Sequence, residues 1–192
     1  MTLQPTIATS RLFLRPFRFD DAFDLQRLAN DQAIADTTIS IPHPYELQYA
    51  QQWIAKHKDE YDQKRAVHFA IVLQASQELI GATELRDIDL EHLQAELGFW
   101  IARSAKADIS SRSHWGRGFA SEAAETLLDY GFNQLGIHRI YAHHLVRNPA
   151  SGRILEKLGL RQEGLMIDRT RKWGVFEDVV LRAVTQAEWM RR

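Results

Sequence analysis

Hydrophobic and polar positions change their spacing along the chain, and the spacing predicts a sheet combined with helices. In residues 11–17, Leu12 and Leu14 alternate with their neighbours, which is the two-residue period of a strand. Apolar residues at helical spacing, among them Leu47 and Ile54, predict a long amphipathic helix over residues 45–64. Three strand-like segments follow as a meander: residues 67–73, 79–87 and 93–102.

The second half of the chain alternates between helical and strand-like segments. Residues 120–135 carry the most regular helical stripe, and residues 139–145 read as a short strand. Asn148 and Pro149 begin another helix, because asparagine caps helix starts and proline is favoured in the first turn, and Gly159 ends it. Two more strand-like segments complete the sheet: residues 160–170 and 175–184.

The order of these elements predicts the fold class. Asp20 and Asp21 can cap a short helix, whereas residues 31–44 contain two prolines and no period and read as a loop. A strand–helix–strand unit inside an otherwise antiparallel meander is typical of a three-layer domain of the α/β or α+β class. At 192 residues, the chain is expected to form a single domain over residues 1–192.

Composition excludes several functional classes. The 24 basic and 25 acidic residues nearly balance, which argues against a general nucleic-acid binder. The chain has no cysteine, which removes disulfides, zinc–thiolate sites and cysteine nucleophiles. The adjacent His143 and His144 point to opposite sides of a strand, so no metal site is expected. No signal peptide or membrane-spanning run is seen, so a cytoplasmic protein without membrane attachment is expected.

The segment that leads into the strongest helix carries two closely spaced glycines, Gly116 and Gly118. Such a turn lets successive backbone N–H groups converge, and the helix start adds positive charge, so the turn can hold a phosphate. A plain tight turn explains the glycines about as well. The segment lacks the Lys-Ser/Thr of a P-loop and the preceding strand of a Rossmann fingerprint.

The motifs around this turn resemble the GNAT superfamily of acetyl-CoA-dependent N-acetyltransferases. The closest branch is the RimJ/RimL type, which acetylates the N-termini of ribosomal proteins. The similarity extends from Ser10 to about Trp189 in the family's order. It is carried by Arg11-Leu12-Phe13-Leu14-Arg15-Pro16, Asp20-Asp21-Ala22, Glu96-Leu97-Gly98-Phe99-Trp100, the turn from Trp115 to Ala123, Asn148 with Ser151, Leu158-Gly159, Glu163-Gly164 and Asp178-Val179.

The resemblance implies a fold, a reaction and a cofactor site. The fold would be a GNAT-like three-layer αβα sandwich, with a mixed, mostly antiparallel sheet of about seven strands around a strand–helix–strand CoA-binding unit. The reaction would be direct transfer of an acetyl group from acetyl-CoA to a primary amine, with a protein N-terminus of the ribosomal type as the expected acceptor. The implied cofactor-binding residues are Phe99, Trp100, Ile101, Trp115, Gly116, Arg117, Gly118, Phe119, Ala120, Ser121 and Asn148.

Two catalytic residues are expected. An ammonium is not nucleophilic, so a base or a water chain must take a proton, and Glu96 is the candidate base on the cofactor-binding strand. A solvated carboxylate or a salt-bridge partner is the alternative for Glu96. Much of the superfamily has a Tyr seven residues after Asn148, where this chain has Leu155. Ser151 is therefore expected to stabilise the departing thiolate, unless it only satisfies a first-turn N–H group.

The acceptor side is less defined. Thr38, Trp173 and Phe176 are the expected acceptor-binding residues, whereas the basic cluster that includes Arg171 and Lys172 reads as a solvated turn. A polar insert over residues 102–113 is longer than the family usually has, and it is either a lid or an unstructured elongation.

Other acceptors, other functions and the state of association stay open. A small amine is the second reading of the acceptor: an amino acid, a polyamine or a drug. A CoA-binding sensor without turnover is the third reading, and only the missing Tyr favours it. The protein is expected to be a monomer or a homodimer.

Overall fold

The computed structural model describes residues 3–104 and 113–192. The described chain forms one sheet of eight strands. The strands are β1 (Ile7–Ala8), β2 (Leu12–Arg15), β3 (Val67–Leu73), β4 (Leu79–Asp89), β5 (Gln94–Ile101), β6 (Arg139–Leu145), β7 (Arg161–Lys172) and β8 (Val175–Thr185).

Helices lie in the connections from β2 to β3, from β5 to β6 and from β6 to β7, and one more follows β8. A short 3-10 helix over Phe19–Asp21 precedes the first of them. The α-helices are α1 (Ala22–Ala29), α2 (Gln32–Thr37), α3 (Leu47–Ala55), α4 (His57–Asp62), α5 (Phe119–Asn133), α6 (Pro149–Lys157) and α7 (Gln186–Trp189).

The sheet order is β1-β2-β3-β4-β5-β6-β8-β7, and all neighbours but one are antiparallel. The exception is β5 beside β6, which run parallel because α5 carries the chain back between them. This parallel ladder is short: Gln94–Glu96 pairs with Arg139–Tyr141, and no pairing continues beyond it in the described chain. The two strands therefore separate towards their carboxyl ends.

Two apolar cores lie on opposite faces of the sheet. The first includes Ile71 and the α5 residues Leu127 and Leu128, while the second joins Val72 to Leu25 of α1. Because Ile71 and Val72 are neighbours on β3, their membership of different cores shows that helices cover both faces. The expected three-layer αβα sandwich with a mostly antiparallel sheet is confirmed. The sheet has eight strands rather than about seven, because the two-residue β1 adds one.

The structure departs from the predicted elements in the region of α2 to α4. Helix α2 forms inside the predicted loop 31–44, where Asp31 caps it by accepting a hydrogen bond from the Ala33 N–H at 3.0 Å. The predicted helix over residues 45–64 divides at Lys56 into α3 and α4. Both α2 and α4 have six residues, too few for a helical period to be read from sequence.

Over residues 3–104 and 113–192, no helix has the length and the apolar character needed to cross a bilayer.

The close approach of β4 to β5 generates the first prediction. A Cβ added at Gly81 would lie 2.2 Å from the backbone oxygen of Trp100. We expect Gly81→Ala to lower the free energy of unfolding by about 1–3 kcal/mol, because backbone rather than a mobile side chain must yield. Gly164→Ala on β7 is the matched control, since a Cβ there meets no atom within 4 Å. Urea unfolding curves that show equal losses for both variants would contradict this expectation.

Candidate active site

The glycine turn leaves the start of α5 open. Gly116 and Gly118 have φ angles of +75° and +81°, which favour glycine, and Gly118 is the N-cap of α5. No described side chain caps this helix, and the turn residues before Phe119 are exposed. The unpaired N–H groups and the positive end of the helix dipole therefore face outward, where an anion can bind them.

The turn is fastened to the N-terminal strand region. Glu122, in the first turn of α5, accepts hydrogen bonds from the Thr9 hydroxyl at 2.6 Å and from Arg11 Nε at 2.7 Å. Arg11 also donates to the Arg117 carbonyl at 2.8 Å. Burial raises the pKa of Glu122, but the hydrogen bonds from Thr9 and Arg11 outweigh it and lower the pKa overall. The carboxylate therefore stays ionised and holds the turn in place.

A cavity of about 430 Å³, which we name the turn cavity, lies between this turn, the end of β5 and α6. Arg153 and Lys157 add positive charge to its wall, and Ile34 and Ile154 add apolar surface. A Cβ added at Gly116 would meet nothing within 4 Å, so a bound group can approach the backbone there. The predicted cofactor residues in its wall are Phe99, Trp100, Ile101, Trp115, Gly116, Gly118, Phe119, Ala120, Ser121 and Asn148.

These features fit the parts of acetyl-CoA. The open helix start suits the pyrophosphate, and the cavity wall along Phe99–Ile101 of β5 suits the pantetheine arm. Arg117 does not line the turn cavity; its guanidinium lies 4.9 Å from the centre of the Phe119 ring. Trp115 donates from Nε1 to the Ile101 carbonyl at 2.6 Å, which joins the end of β5 to the turn.

A second cavity of about 690 Å³, which we name the sheet cavity, is lined by residues of β4, β5, β6 and the α2–α4 region. Its wall includes Glu96 and the aromatic side chains of Tyr45, Tyr49 and Trp53. The two cavities have a common wall at the place where β5 and β6 separate. The residues that line both are Thr37, Thr38, Phe99, Trp100 and Ser151.

Glu96 is buried at the end of the parallel ladder, with 8% of its surface exposed. Its Oε1 accepts hydrogen bonds from Arg86 Nη2 at 2.8 Å and from His143 Nδ1 at 3.0 Å. Burial raises the pKa of Glu96, but the bonds from His143 and Arg86 outweigh burial, so its pKa lies below the ordinary value. Glu96 is therefore ionised at neutral pH and paired, rather than a solvated carboxylate.

The pairing continues along the wall of the sheet cavity. Arg86 also contacts Glu84 at 3.3 Å, and Glu84 lies 2.8 Å from His68 Nδ1. The other ring nitrogen of His68 lies 2.8 Å from Glu60. The sequence did not identify Arg86, His68 or His143 as site residues, because the sheet register alone places them beside these carboxylates.

Ser151 lies in the first turn of α6, which Asn148 caps. The side-chain oxygen of Asn148 accepts from the Ser151 N–H at 3.2 Å. The side-chain amide of Asn148 donates to Ser151 Oγ at 3.0 Å and to the Thr37 carbonyl at 2.9 Å. Because Ser151 Oγ accepts here and donates to no described residue, its hydroxyl hydrogen is available where the two cavities meet.

The expected acceptor residues divide into two groups. Thr38 lines both cavities, whereas Trp173 and Phe176 line neither. Trp173 instead donates from its indole N–H to Asp36 at 2.7 Å. Lys172, read from the sequence as part of a solvated turn, is buried and donates to the Thr38 and Ile41 carbonyls at 2.6 and 3.0 Å. That interpretation of Lys172 was wrong, because its ammonium anchors the loop that forms the cavity wall.

The polar insert 102–113 lies mostly outside the described residues, which stop at Ser104 and resume at Ser113. The His114 N–H donates to the Arg103 carbonyl at 2.8 Å, so the two ends of the insert meet. In the part of the chain that the structure describes, no group of three or more potential ligands is placed to hold a metal ion.

Known proteins resemble this chain over most of its length. Residues 11–161 match the sequence profile described as an acetyltransferase (GNAT) domain. An uncharacterized N-acetyltransferase, p20 of Bacillus licheniformis, is 31% identical over 184 residues, which cover 96% of this chain and 98% of that protein. The spermidine N(1)-acetyltransferase of Vibrio cholerae is 29% identical over 184 residues, covering 95% and 98%. The solved structure of RimL, a ribosomal alpha-N-protein acetyltransferase, has a TM-score of 0.82 at 18% identity, covering 94% and 98%.

The geometry of the turn generates the second prediction. We expect Gly118→Val to weaken acetyl-CoA binding at least tenfold in calorimetric titration, because a side chain there blocks backbone approach and strains a positive φ. Gly136→Val is the matched control, since Gly136 also has a positive φ of +68° but lies beyond the far end of α5. If both folded variants bind acetyl-CoA alike, the turn does not hold the cofactor.

Proposed function

The chain belongs to the GNAT acetyltransferase family and transfers an acetyl group from acetyl-CoA to an amine, and we propose that this amine is the N-terminal amino group of a protein. The family resemblance found in the sequence is confirmed by the match over residues 11–161. A ribosomal protein is the type of acceptor that the sequence motifs imply. Such an acceptor agrees with the cytoplasmic location expected from the sequence.

The observation that carries this proposal is the state of the carboxylates in the sheet cavity. Glu60, Glu84 and Glu96 each already contact a cationic or imidazole side chain of the protein. A polyamine carries several ammonium groups and binds best where carboxylates are unpaired. A peptide N-terminus brings a single amine, and the Tyr45 and Trp53 rings offer its side chains an apolar surface.

A polyamine is the second candidate acceptor. The Vibrio cholerae relative that is 29% identical acts on spermidine. Asp87, in the wall of the sheet cavity, is exposed and makes no hydrogen bond or ion pair with a described residue. It is the carboxylate through which a second ammonium group would be bound.

The side chains suggest how the transfer proceeds. Acetyl-CoA supplies an activated thioester, and the N–H groups of the glycine turn bind its pyrophosphate. Backbone groups along Phe99–Ile101 orient the thioester towards the sheet cavity, which aligns it with the amine. Ser151 donates a hydrogen bond from its hydroxyl group to the sulfur as negative charge develops there. Glu96 lies on the side of the site where the amine loses its proton.

The choice of acceptor generates the third prediction, which a panel of candidate amines tests. Short peptides with a free N-terminus, the same peptides with a blocked N-terminus, spermidine and a free amino acid are incubated with acetyl-CoA and followed by intact mass. We expect acetylation of the free peptides at the α-amine, with a kcat/KM at least tenfold above that for spermidine. A higher kcat/KM for spermidine that also falls in Asp87→Asn would replace the peptide proposal with the polyamine one.

Ser151 generates the fourth prediction. We expect Ser151→Ala to lower kcat about 5–100-fold, because one donor to a developing charge contributes about 1–3 kcal/mol, and to leave the acetyl-CoA affinity nearly unchanged. Ser76→Ala is the control, since Ser76 is exposed and lines neither cavity. Stopped-assay rates at saturating acetyl-CoA provide the measurement. An unchanged kcat in Ser151→Ala would contradict this role. The thiolate would then depart without help from the Ser151 hydroxyl.

A further inference from the structure

The paired state of Glu96 bears on which group accepts the proton of the amine. Its Oε1 already accepts hydrogen bonds from Arg86 and His143, at 2.8 and 3.0 Å. A carboxylate stabilised by two such donors has little affinity for a further proton. Glu96 is therefore a poor acceptor for the amine proton, and the side chains beside it are the next candidates.

His143 occupies that position. It lies two residues past Tyr141, which pairs with Glu96 at the end of the parallel ladder. Because side chains alternate along a strand, His143 shares the face of Tyr141 and Glu96, at the point where β5 and β6 separate. Its side chain is 18% exposed and lines the sheet cavity. Its Nε2 makes no hydrogen bond with any described residue.

The bond to Glu96 determines which nitrogen of the His143 ring is basic. Ionised Glu96 can only accept hydrogen bonds, so Nδ1 of His143 must carry the hydrogen. In the neutral ring, Nε2 then holds the free lone pair at the cavity. A carboxylate bound to Nδ1 also fixes the ring orientation and stabilises the imidazolium that forms when Nε2 takes a proton.

The neighbouring His144 does not offer the same arrangement. It is buried on the opposite face, with its Nδ1 3.0 Å from the Leu145 carbonyl. Its ring packs against α6 so closely that a Cβ at Gly152 would lie 2.9 Å from it. His144 also borders the sheet cavity, but no carboxylate of the described residues contacts its ring, whereas His143 has Glu96 beside its Nδ1.

We propose that Nε2 of His143 is the general base of acetyl transfer and that Glu96 is a positioning residue acting through the imidazole. As the amine nitrogen bonds to the thioester carbonyl carbon, its proton passes to Nε2. The C–S bond then breaks, and its electron pair leaves on the sulfur beside Ser151. Solvent protonates the thiolate and takes the proton from the imidazolium. This inference rests on amine acetylation as the reaction of the site, whichever class of amine is the acceptor.

The proposal sets the direction of the pH dependence. A base works only in its unprotonated form, so kcat falls at acidic pH. Strand β8 places the apolar Leu181 opposite His143 in the ladder. The titratable and charged groups nearest this part of the wall are Glu84, Arg86 and Asp87 on β4, Glu96 on β5, and Tyr141 and His144 on β6.

Kinetic variants provide the fifth prediction, measured with whichever panel acceptor the wild-type protein uses best. We expect His143→Gln to lower kcat about 10²–10⁴-fold and to abolish the acidic limb of the kcat–pH profile, with acetyl-CoA affinity retained. In His143→Ala, added imidazole should restore part of the rate. His138→Gln, an exposed histidine just before β6, is the matched control and should behave as wild type.

Glu96→Gln separates the two assignments. If Glu96 positions His143, this variant lowers kcat but keeps the acidic limb of the kcat–pH profile, because the base itself is still present. A limb that disappears in Glu96→Gln but persists in His143→Gln would overturn the proposal and make Glu96 the base. The assay uses whichever acceptor the wild-type protein acetylates best. Its outcome therefore does not depend on whether the peptide proposal is correct.

The ring itself can be tested without an acceptor. Nitrogen-15 NMR of the folded protein with acetyl-CoA bound reports which nitrogen of each neutral histidine carries hydrogen. We expect the His143 signals, assigned by their loss in His143→Gln, to show hydrogen on Nδ1 and a bare Nε2. Hydrogen on Nε2 in the neutral ring would leave no lone pair at the cavity and would overturn the proposal.

Discussion

The short parallel ladder between β5 and β6 is the constraint on which the site depends. The strands pair only over Gln94–Glu96 and Arg139–Tyr141, whereas β5 stays paired with β4 as far as Ile101. At the paired end, α5 lies so close that a Cβ on Gly131 would come within 2.7 Å of the Ile140 side chain. Over the described residues, β5 therefore stays paired on one side and lies open along its other edge beyond Glu96.

Side chains from distant segments converge on that opening. Ser151 arrives from α6, Thr38 from the end of α2, and His143 from β6. Lys172 of β7 holds the loop after α2 through its bond to the Thr38 carbonyl, a contact across 134 residues of sequence. Burial lowers the pKa of this lysine, and the Thr38 and Ile41 carbonyls accept hydrogen bonds from its ammonium group. The wall of the sheet cavity is therefore built by the sheet order rather than by any one motif.

Local pattern accounts for the elements that the sequence predicted well. The apolar segments over Val67–Leu73 and Arg139–Leu145 became strands with the predicted ends, and α5 shifted by only one or two residues. Helix α2 was missed because its six residues are supported by tertiary contacts, including the bond from Asn148 to the Thr37 carbonyl. A contact between residues 111 positions apart leaves no periodic trace in the segment it stabilises.

The sequence by itself determined the features whose causes are local. A left-handed turn favours glycine at positions 116 and 118, and a helix start directly after it can bind an anion, so the glycine turn could be read from consecutive residues. The motifs also identified the family and placed Glu96 on its strand. Tertiary structure alone decided that Glu96 is paired with Arg86 and His143, that Lys172 is buried, and that Trp173 and Phe176 lie outside both cavities. These outcomes depend on which strands become neighbours, and a residue's own sequence context carries no information about a partner 47 positions away.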